Sequence, residues 1–297
     1  MLLETMATGR TPLDLTDLNG KTAVVTGAAS GLGLALARRL KAEGMNLVLA
    51  DFDGEALDQA ATELDALGIL TDVRDPASVQ ALAAAAVARF GAVHLLCSNA
   101  GVARMAGIEH LTLEDWRWLF DVNLFGAVTV TKAFLPLLKA AAEGGHMLFT
   151  ASLSSFYPTR AQAAYAATKY ALAAFGETLA LELQAEEARV GVTLLCPGPV
   201  RTNIGTGYAR REMQYRGAAP AEGTATDIHE RAFRDETFDT DWSAADDIAE
   251  AALAGMRRGE LWVITHPDLM SATVARHRGI EAAAEREPGR QDLAQPI

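Results

Sequence analysis

Cysteine is scarce in this chain: Cys97 and Cys196 are the only two in 297 residues, and they form no CxxC pair. That excludes a disulfide-built scaffold and a thiolate zinc site. Each lies in a short apolar run that reads as a strand end, so both are expected in the core. Such sparse usage suits a reducing cytoplasm, which is the expected location. Basic residues are also a minority, 26 Lys and Arg against 38 Asp and Glu, for a formal net charge of -12. A surface of that sign repels phosphate backbones and anionic lipid heads, which argues against nucleic-acid and membrane partners. No run of about 18 apolar residues occurs, so no membrane span is expected. Segment 1–19, with Glu4, Asp14 and Asp17, lacks the apolar core of a signal peptide. None of the six histidines pairs at metal-ligand spacing, so no metal is expected.

What the chain does have is a regular alternation. Apolar runs suited to buried strands occur at Thr22–Val25, Leu47–Ala50, Gly68–Thr71, Val93–Cys97, His146–Thr150, Gly191–Leu195 and Leu261–Ile264. Helical patterns lie between them, among them Leu32–Glu43, Leu113–Ala142 and Ala164–Leu183. Strands separated by helix-length segments predict right-handed crossovers. The result is an α/β fold with a doubly wound, parallel, seven-stranded sheet of Rossmann type, in one domain spanning 20–267. Residues 1–19 read as an N-terminal extension and 268–297 as a charged tail holding one helix. The stretch 201–241 breaks the rhythm, is rich in mixed charge, and is expected to form a helical lid over substrate.

Between the first strand and first helix lies Thr26-Gly27-Ala28-Ala29-Ser30-Gly31-Leu32-Gly33. Glycines there allow a tight turn and close backbone approach, and the helix N-terminus offers free N–H groups to a pyrophosphate. Asp51 ends the second strand, 18 residues after Gly33. A carboxylate there can accept from both hydroxyls of an adenosine ribose and would repel a 2′-phosphate, which favours NAD over NADP. Asp72-Val73 follows the third strand and can hold the adenine. Asn99, with Ala100 and Gly101, follows the fourth: Asn99 would brace the sheet and Gly101 leave room beside the cofactor.

Tyr165 and Lys169 stand at i and i+4 and share one helix face. A free phenol, with a pKa of about 10, is a poor base at neutral pH, and a fixed positive charge beside it favours the phenolate. Ser152 lies 13 residues before Tyr165, just past an apolar run, at the strand end where such sheets bind ligands.

Together these residues resemble the short-chain dehydrogenase/reductase family. The Thr26–Gly33 loop matches its TGxxxGxG motif, and Ser98-Asn99-Ala100-Gly101 its NNAG motif, with serine in place of the first asparagine. Asn123, Ser152, Tyr165 and Lys169 match its catalytic tetrad, and Pro197-Gly198-Pro199-Val200-Arg201-Thr202 its PG segment. The resemblance implies that Tyr165 is the general acid/base and that Lys169 lowers its pKa and holds the nicotinamide ribose. It implies that Ser152 positions the substrate oxygen and Asn123 anchors a relay water. Val200 and Thr202 would contact the carboxamide, beside Pro197 and Gly198. It also implies a homodimer or homotetramer built on the two long helices. The substrate would be a secondary alcohol or ketone, bulky and apolar or aromatic, lined by Met105, Leu153, Ser154, Phe156, Tyr157 and Tyr208. An NADP-dependent carbonyl reductase and a non-catalytic NAD-sensing regulator are the alternatives.

Overall fold

The computed structural model describes residues 13–202, 204 and 242–285. Within them the chain divides into two compact units that meet between Thr265 and His266. The first holds seven strands: β1 Thr22–Thr26, β2 Asn46–Asp51, β3 Leu67–Leu70, β4 Leu95–Ser98, β5 Gly145–Thr150, β6 Val190–Cys196 and β7 Trp262–Ile264. They form one sheet in the order β3-β2-β1-β4-β5-β6-β7, with every pairing parallel. The order reverses between β1 and β4, and the crevice outside the carboxyl ends at such a point is where these sheets bind ligands.

Alternation along each strand sends neighbours to opposite faces. Ala23 and Val25 of β1 join one core, with Leu36 and Leu40 of α1 (Gly31–Ala42), Leu57 of α2 (Gly54–Leu64) and Leu253 of α7 (Ala245–Arg257). Val24 joins the other, with Leu82 of α3 (Pro76–Phe90), Phe134 of α5 (Gly126–Ala140) and Leu172 of α6 (Ala163–Ala185). Local signals start these helices: the Asp53 carboxylate caps α2 and that of Asp75 caps α3, where Pro76 follows. Thr112 and Asp115 form a reciprocal capping box on α4 (Leu113–Phe120).

Two expectations change. The long helix is not uniform: a π-turn at Asp121–Phe125 separates α4 from α5. The combined stretch Leu113–Ala140 is long and apolar enough to cross a membrane. Here its apolar side is core, with Trp118, Leu119, Val130, Phe134 and Leu138 buried. The N-terminal extension is also partly core: Leu13, Leu15 and Leu18 are buried against the α1 layer, and Arg257 Nε donates to the Leu15 carbonyl at 2.9 Å. Cys97 and Cys196 are buried thiols, as expected.

In the second unit, a 3-10 turn at Pro267–Met270 leads into α8 (Ser271–Glu285), whose side chains are mostly exposed.

Candidate active site

The turn after β5 is tied down on two sides. Ser152, in extended backbone, accepts through Oγ from the Ser154 N–H at 3.1 Å, and Leu153 N–H donates to the Pro197 carbonyl at 3.0 Å. Ser155 Oγ donates to the Lys169 carbonyl at 2.8 Å, which locks the turn to α6. On α6, Lys169 Nζ lies 5.7 Å from the centre of the Tyr165 ring and donates to the Thr150 carbonyl at 2.7 Å. Ser152, Tyr165 and Lys169 are therefore gathered where β5 and α6 meet.

Burial dominates the electrostatics of the resting site. Burial pushes the Tyr165 phenol up to about 12, and a hydrogen bond with Ser152 pulls the other way. Burial brings Lys169 down to about 8. Desolvation outweighs the Ser152 hydrogen bond at the phenol, while the Lys169 ammonium is engaged by the Thr150 carbonyl. The Cys196 thiol nearby is also pushed up by burial.

Asn123, in the π-turn, is a strut. Its Nδ2 donates to the Val102 carbonyl and to Thr168 Oγ1, both at 3.0 Å, and its Oδ1 accepts from Val102 N–H at 2.8 Å. Thr168 Oγ1 donates in turn to the Tyr165 carbonyl at 2.7 Å. Asn123 therefore joins the loop after β4 to the helix that carries Tyr165, and both of its amide donors are engaged.

The glycine loop passes a direct test for a nucleotide cradle. Gly27 and Gly31 have φ of +64° and +54°, the left-handed region that favours glycine. A Cβ on Gly33 would stand 1.9 Å from the Gly27 carbonyl oxygen, and one on Gly27 would stand 2.8 Å from Ala100 Cα. Ser30, at the N-cap of α1, makes no capping bond with its side chain, and no acidic residue stands in the first turn with Leu32. The helix end is thus open to an anion. Thr202 packs 3.3 Å from the position of a Gly31 Cβ, so the segment after β6 folds over the loop. Val200 and Ser243 pair as an isolated bridge that holds this segment.

Asp51 accepts from Ala29 N–H at 2.9 Å and Asp53 N–H at 3.0 Å, one on each oxygen. Asp72 grips Arg74 with both oxygens, at 2.8 Å to Nε and 2.6 Å to Nη2, and the Arg74 guanidinium lies 6.0 Å from the Phe52 ring centre. This cation near the second strand's end was not anticipated. Val73 is buried against Gly126, so only its backbone is left to face a ligand. Asn99 braces the sheet as expected: Nδ2 donates to the carbonyls of Thr26 and Gly27, and Oδ1 accepts from Thr150 Oγ1. Gly101 sits where a Cβ would lie 3.5 Å from Asn123 Oδ1 and 3.6 Å from Lys169 Nζ.

Of the expected substrate wall, Met105 packs with the buried cluster of Ala103, Ala106, Trp118 and Tyr165. Leu153 and Ser154 are buried in the Ser152 turn, and Tyr157 is half-buried with its phenol pushed up by burial. Phe156 departs from expectation: its ring packs 5.0 Å from Trp262 of β7, in the apolar layer with Phe149 and Phe175. Tyr208 and most of the 201–241 lid lie outside the described residues. Gln162, one turn before Tyr165, was not anticipated; its spacing from Tyr165 was the available signal.

A doubly wound sheet with a glycine cradle at its switch point and a Ser-Tyr-Lys group beside it defines a dinucleotide-dependent oxidoreductase. The short chain dehydrogenase family model matches residues 21–213, and the protein belongs to that family. It is 41% identical over 192 residues to 1-deoxy-11-beta-hydroxypentalenate dehydrogenase of Streptomyces exfoliatus, covering 62% of this chain and 69% of that one. A short chain dehydrogenase/reductase of Burkholderia phymatum in complex with NAD superposes with a TM-score of 0.85 at 32% identity, over 95% of this chain and 99% of that one. An alcohol dehydrogenase of Thermococcus sibiricus complexed with 5-hydroxy-NADP gives 0.64 at 29% identity, over 80% of this chain and 90% of that one. The family binds a nicotinamide cofactor and acts on small molecules.

Proposed function

We propose that the protein is an NAD-dependent dehydrogenase of secondary alcohols and their ketones, with Tyr165 as general acid/base. The observation that carries this is the convergence of Ser152, Tyr165 and Lys169 at the carboxyl end of β5. When bound, the nicotinamide accepts or delivers the hydride and, in its oxidised form, adds positive charge near the phenol. Ser152 Oγ donates to the substrate oxygen as negative charge develops there. The Tyr165 hydroxyl donates its proton to that oxygen in ketone reduction and recovers it in alcohol oxidation. Lys169 lends positive charge to the phenolate and would hold the ribose, while Asn123 keeps the loop after β4 and α6 in register.

The cradle residues Gly27, Ser30, Gly31, Leu32 and Gly33 would hold the pyrophosphate, with Asp72, Val73, Ala100 and Gly101 along the adenine and ribose. Pro197, Gly198, Val200 and Thr202 would flank the carboxamide. The case for NAD rests on Asp51. A carboxylate has about four acceptor positions, and two backbone bonds leave room for two ribose hydroxyls. An NADP-dependent reductase needs a cation for the 2′-phosphate, and Arg74 is gripped by Asp72. A relative that is a hydroxypentalenate dehydrogenase supports the alcohol-oxidising direction and a bulky, largely apolar substrate. Exposed Phe125 and Leu181, on the long helices, suit a homodimer or homotetramer.

The test is turnover of a panel of secondary alcohols and ketones with NAD and NADP, read as NADH or NADPH absorbance, for wild type and Tyr165→Phe. The variant should bind NAD as wild type does and lose about 10²–10⁴ in turnover. Full turnover in the variant overturns Tyr165 as the base, and a strong NADP preference overturns the cofactor reading.

A further inference from the structure

Gln162 presents a feature that the proton path does not use. It is more than nine-tenths buried, keeping 8% of its surface exposed. Its Oε1 accepts from Ser154 Oγ at 2.7 Å. Ser154 is itself fixed, since its backbone N–H donates to Ser152 Oγ at 3.1 Å. That single bond leaves the amide nitrogen, with its two donors, unpartnered among the described residues. Among the described residues, the Gln162 nitrogen is not one of the fully enclosed side-chain polar atoms that lack a partner. It therefore opens onto the small solvent-facing part of the residue.

The backbone around it is held in place. Ala161 is buried with a φ of +59°, unusual for a residue bearing a Cβ. The Ala106 N–H donates to its carbonyl at 2.9 Å, tying the turn to the loop that carries Met105. Strain kept by a long-range bond beside a reaction centre fixes where the next side chain points. Gln162 then stands at the N-cap position of α6, three residues before Tyr165, and its side chain makes no capping bond. It is left to face the reaction centre's side of the turn through Ser154.

We infer that Gln162 is a specificity-determining residue whose amide N–H groups bind a second oxygen of the substrate, three bonds from the carbon that is oxidised or reduced. This inference rests on the dehydrogenase reading and narrows its substrate class to 3-hydroxy carbonyl compounds and their 3-oxo partners. A ketone or ester oxygen satisfies the amide. An alkyl chain in the same place leaves a buried donor unpaired, and sites built around a hydrogen bond reject analogues that lack it.

The test uses two ketones of matched length, ethyl 3-oxobutanoate and 2-heptanone, reduced with NADH. For wild type, kcat/KM should favour the oxo ester about tenfold or more. In Gln162→Met and Gln162→Glu that preference should collapse toward unity, mainly through KM. Glutamate keeps an acceptor for Ser154 Oγ and removes only the donors, so it also serves if methionine disrupts folding. An unchanged preference in Gln162→Glu overturns the donor role, as does an equal loss on both ketones. Wild type that prefers 2-heptanone, or turns over neither ketone, overturns the substrate class. Tyr165→Phe measured on the same ketones keeps the two readings apart: retained turnover there removes the dehydrogenase mechanism whatever the Gln162 ratio.

Discussion

Replacing Lys169 by methionine should weaken the reaction and leave the fold as stable or more so. Burial carries the ammonium from 10.5 down to about 8. At about 1.4 kcal/mol per pKa unit, the charged form is disfavoured in the native protein by about 3 kcal/mol. Because the folded value lies below the unfolded one, this penalty is complete below pH 8, shrinks as pH rises, and is gone above 10.5. Methionine has a similar reach and no charge, so it removes the penalty. It also strips the Thr150 carbonyl of the Nζ donor at 2.7 Å. Leaving that acceptor unmet costs about 1–3 kcal/mol. The balance at pH 7 is a gain of about 0–2 kcal/mol. With an unfolding entropy of about 2.1 cal/mol/K per residue, Tm should rise by up to about 3 °C. Turnover should fall by about 10²–10⁴, because the phenolate loses its cation. Calorimetry at pH 7 and pH 9.5 reads the first effect, and the Tm gap should narrow at the higher pH. A variant that melts well below wild type at pH 7, or that turns over within a few-fold of it, refutes the reasoning.

Gly33→Ala should damage nucleotide binding with little effect on the sheet. The new Cβ would stand 1.9 Å from the Gly27 carbonyl oxygen and 2.5 Å from Asn99 Nδ2, so the cradle itself has to move. NADH affinity measured by fluorescence should drop at least about tenfold, the equivalent of about 1.4 kcal/mol, and unchanged affinity would count against this loop as the cradle. His146 should make the fold acid-sensitive. Burial holds its imidazole down to about 4 against 6.5 in the unfolded chain, so stability is complete above pH 6.5 and is lost as pH falls toward 4. The loss reaches about 3 kcal/mol at the acid end. His146→Leu should flatten the Tm-against-pH curve in that window, and parallel curves for variant and wild type would refute it.

The features legible in the sequence are those set by neighbours along the chain. Val24 and Val48, alternating with Ala23 and Leu47, announce strands buried on both faces, and the structure sends them to opposite cores. The short Leu67–Leu70 strand sits at the sheet edge and is only partly buried, so its bounds are the least marked by composition. Distant contacts decide the rest. No proline or glycine lies inside Asp121–Phe125 to announce a break. The extra residue in that turn lets Asn123 reach Val102 and Thr168, which are 21 and 45 positions away. Phe156 reads as a pocket aromatic because it follows Ser152 closely, but its ring finds Trp262 on an edge strand formed far along the chain. The Tyr165–Lys169 pair divides in the same way: spacing fixes their shared face, while the burial of both groups and the Thr150 carbonyl beside Nζ emerge only from the fold. Gln162 belongs to the same class. Its position before Tyr165 is plain in the sequence, yet its free amide emerges only once Ser154 claims the oxygen and Ala106 holds the turn. Chemistry that depends on one side chain's leftover hydrogen-bonding capacity can be read only after every partner has been placed.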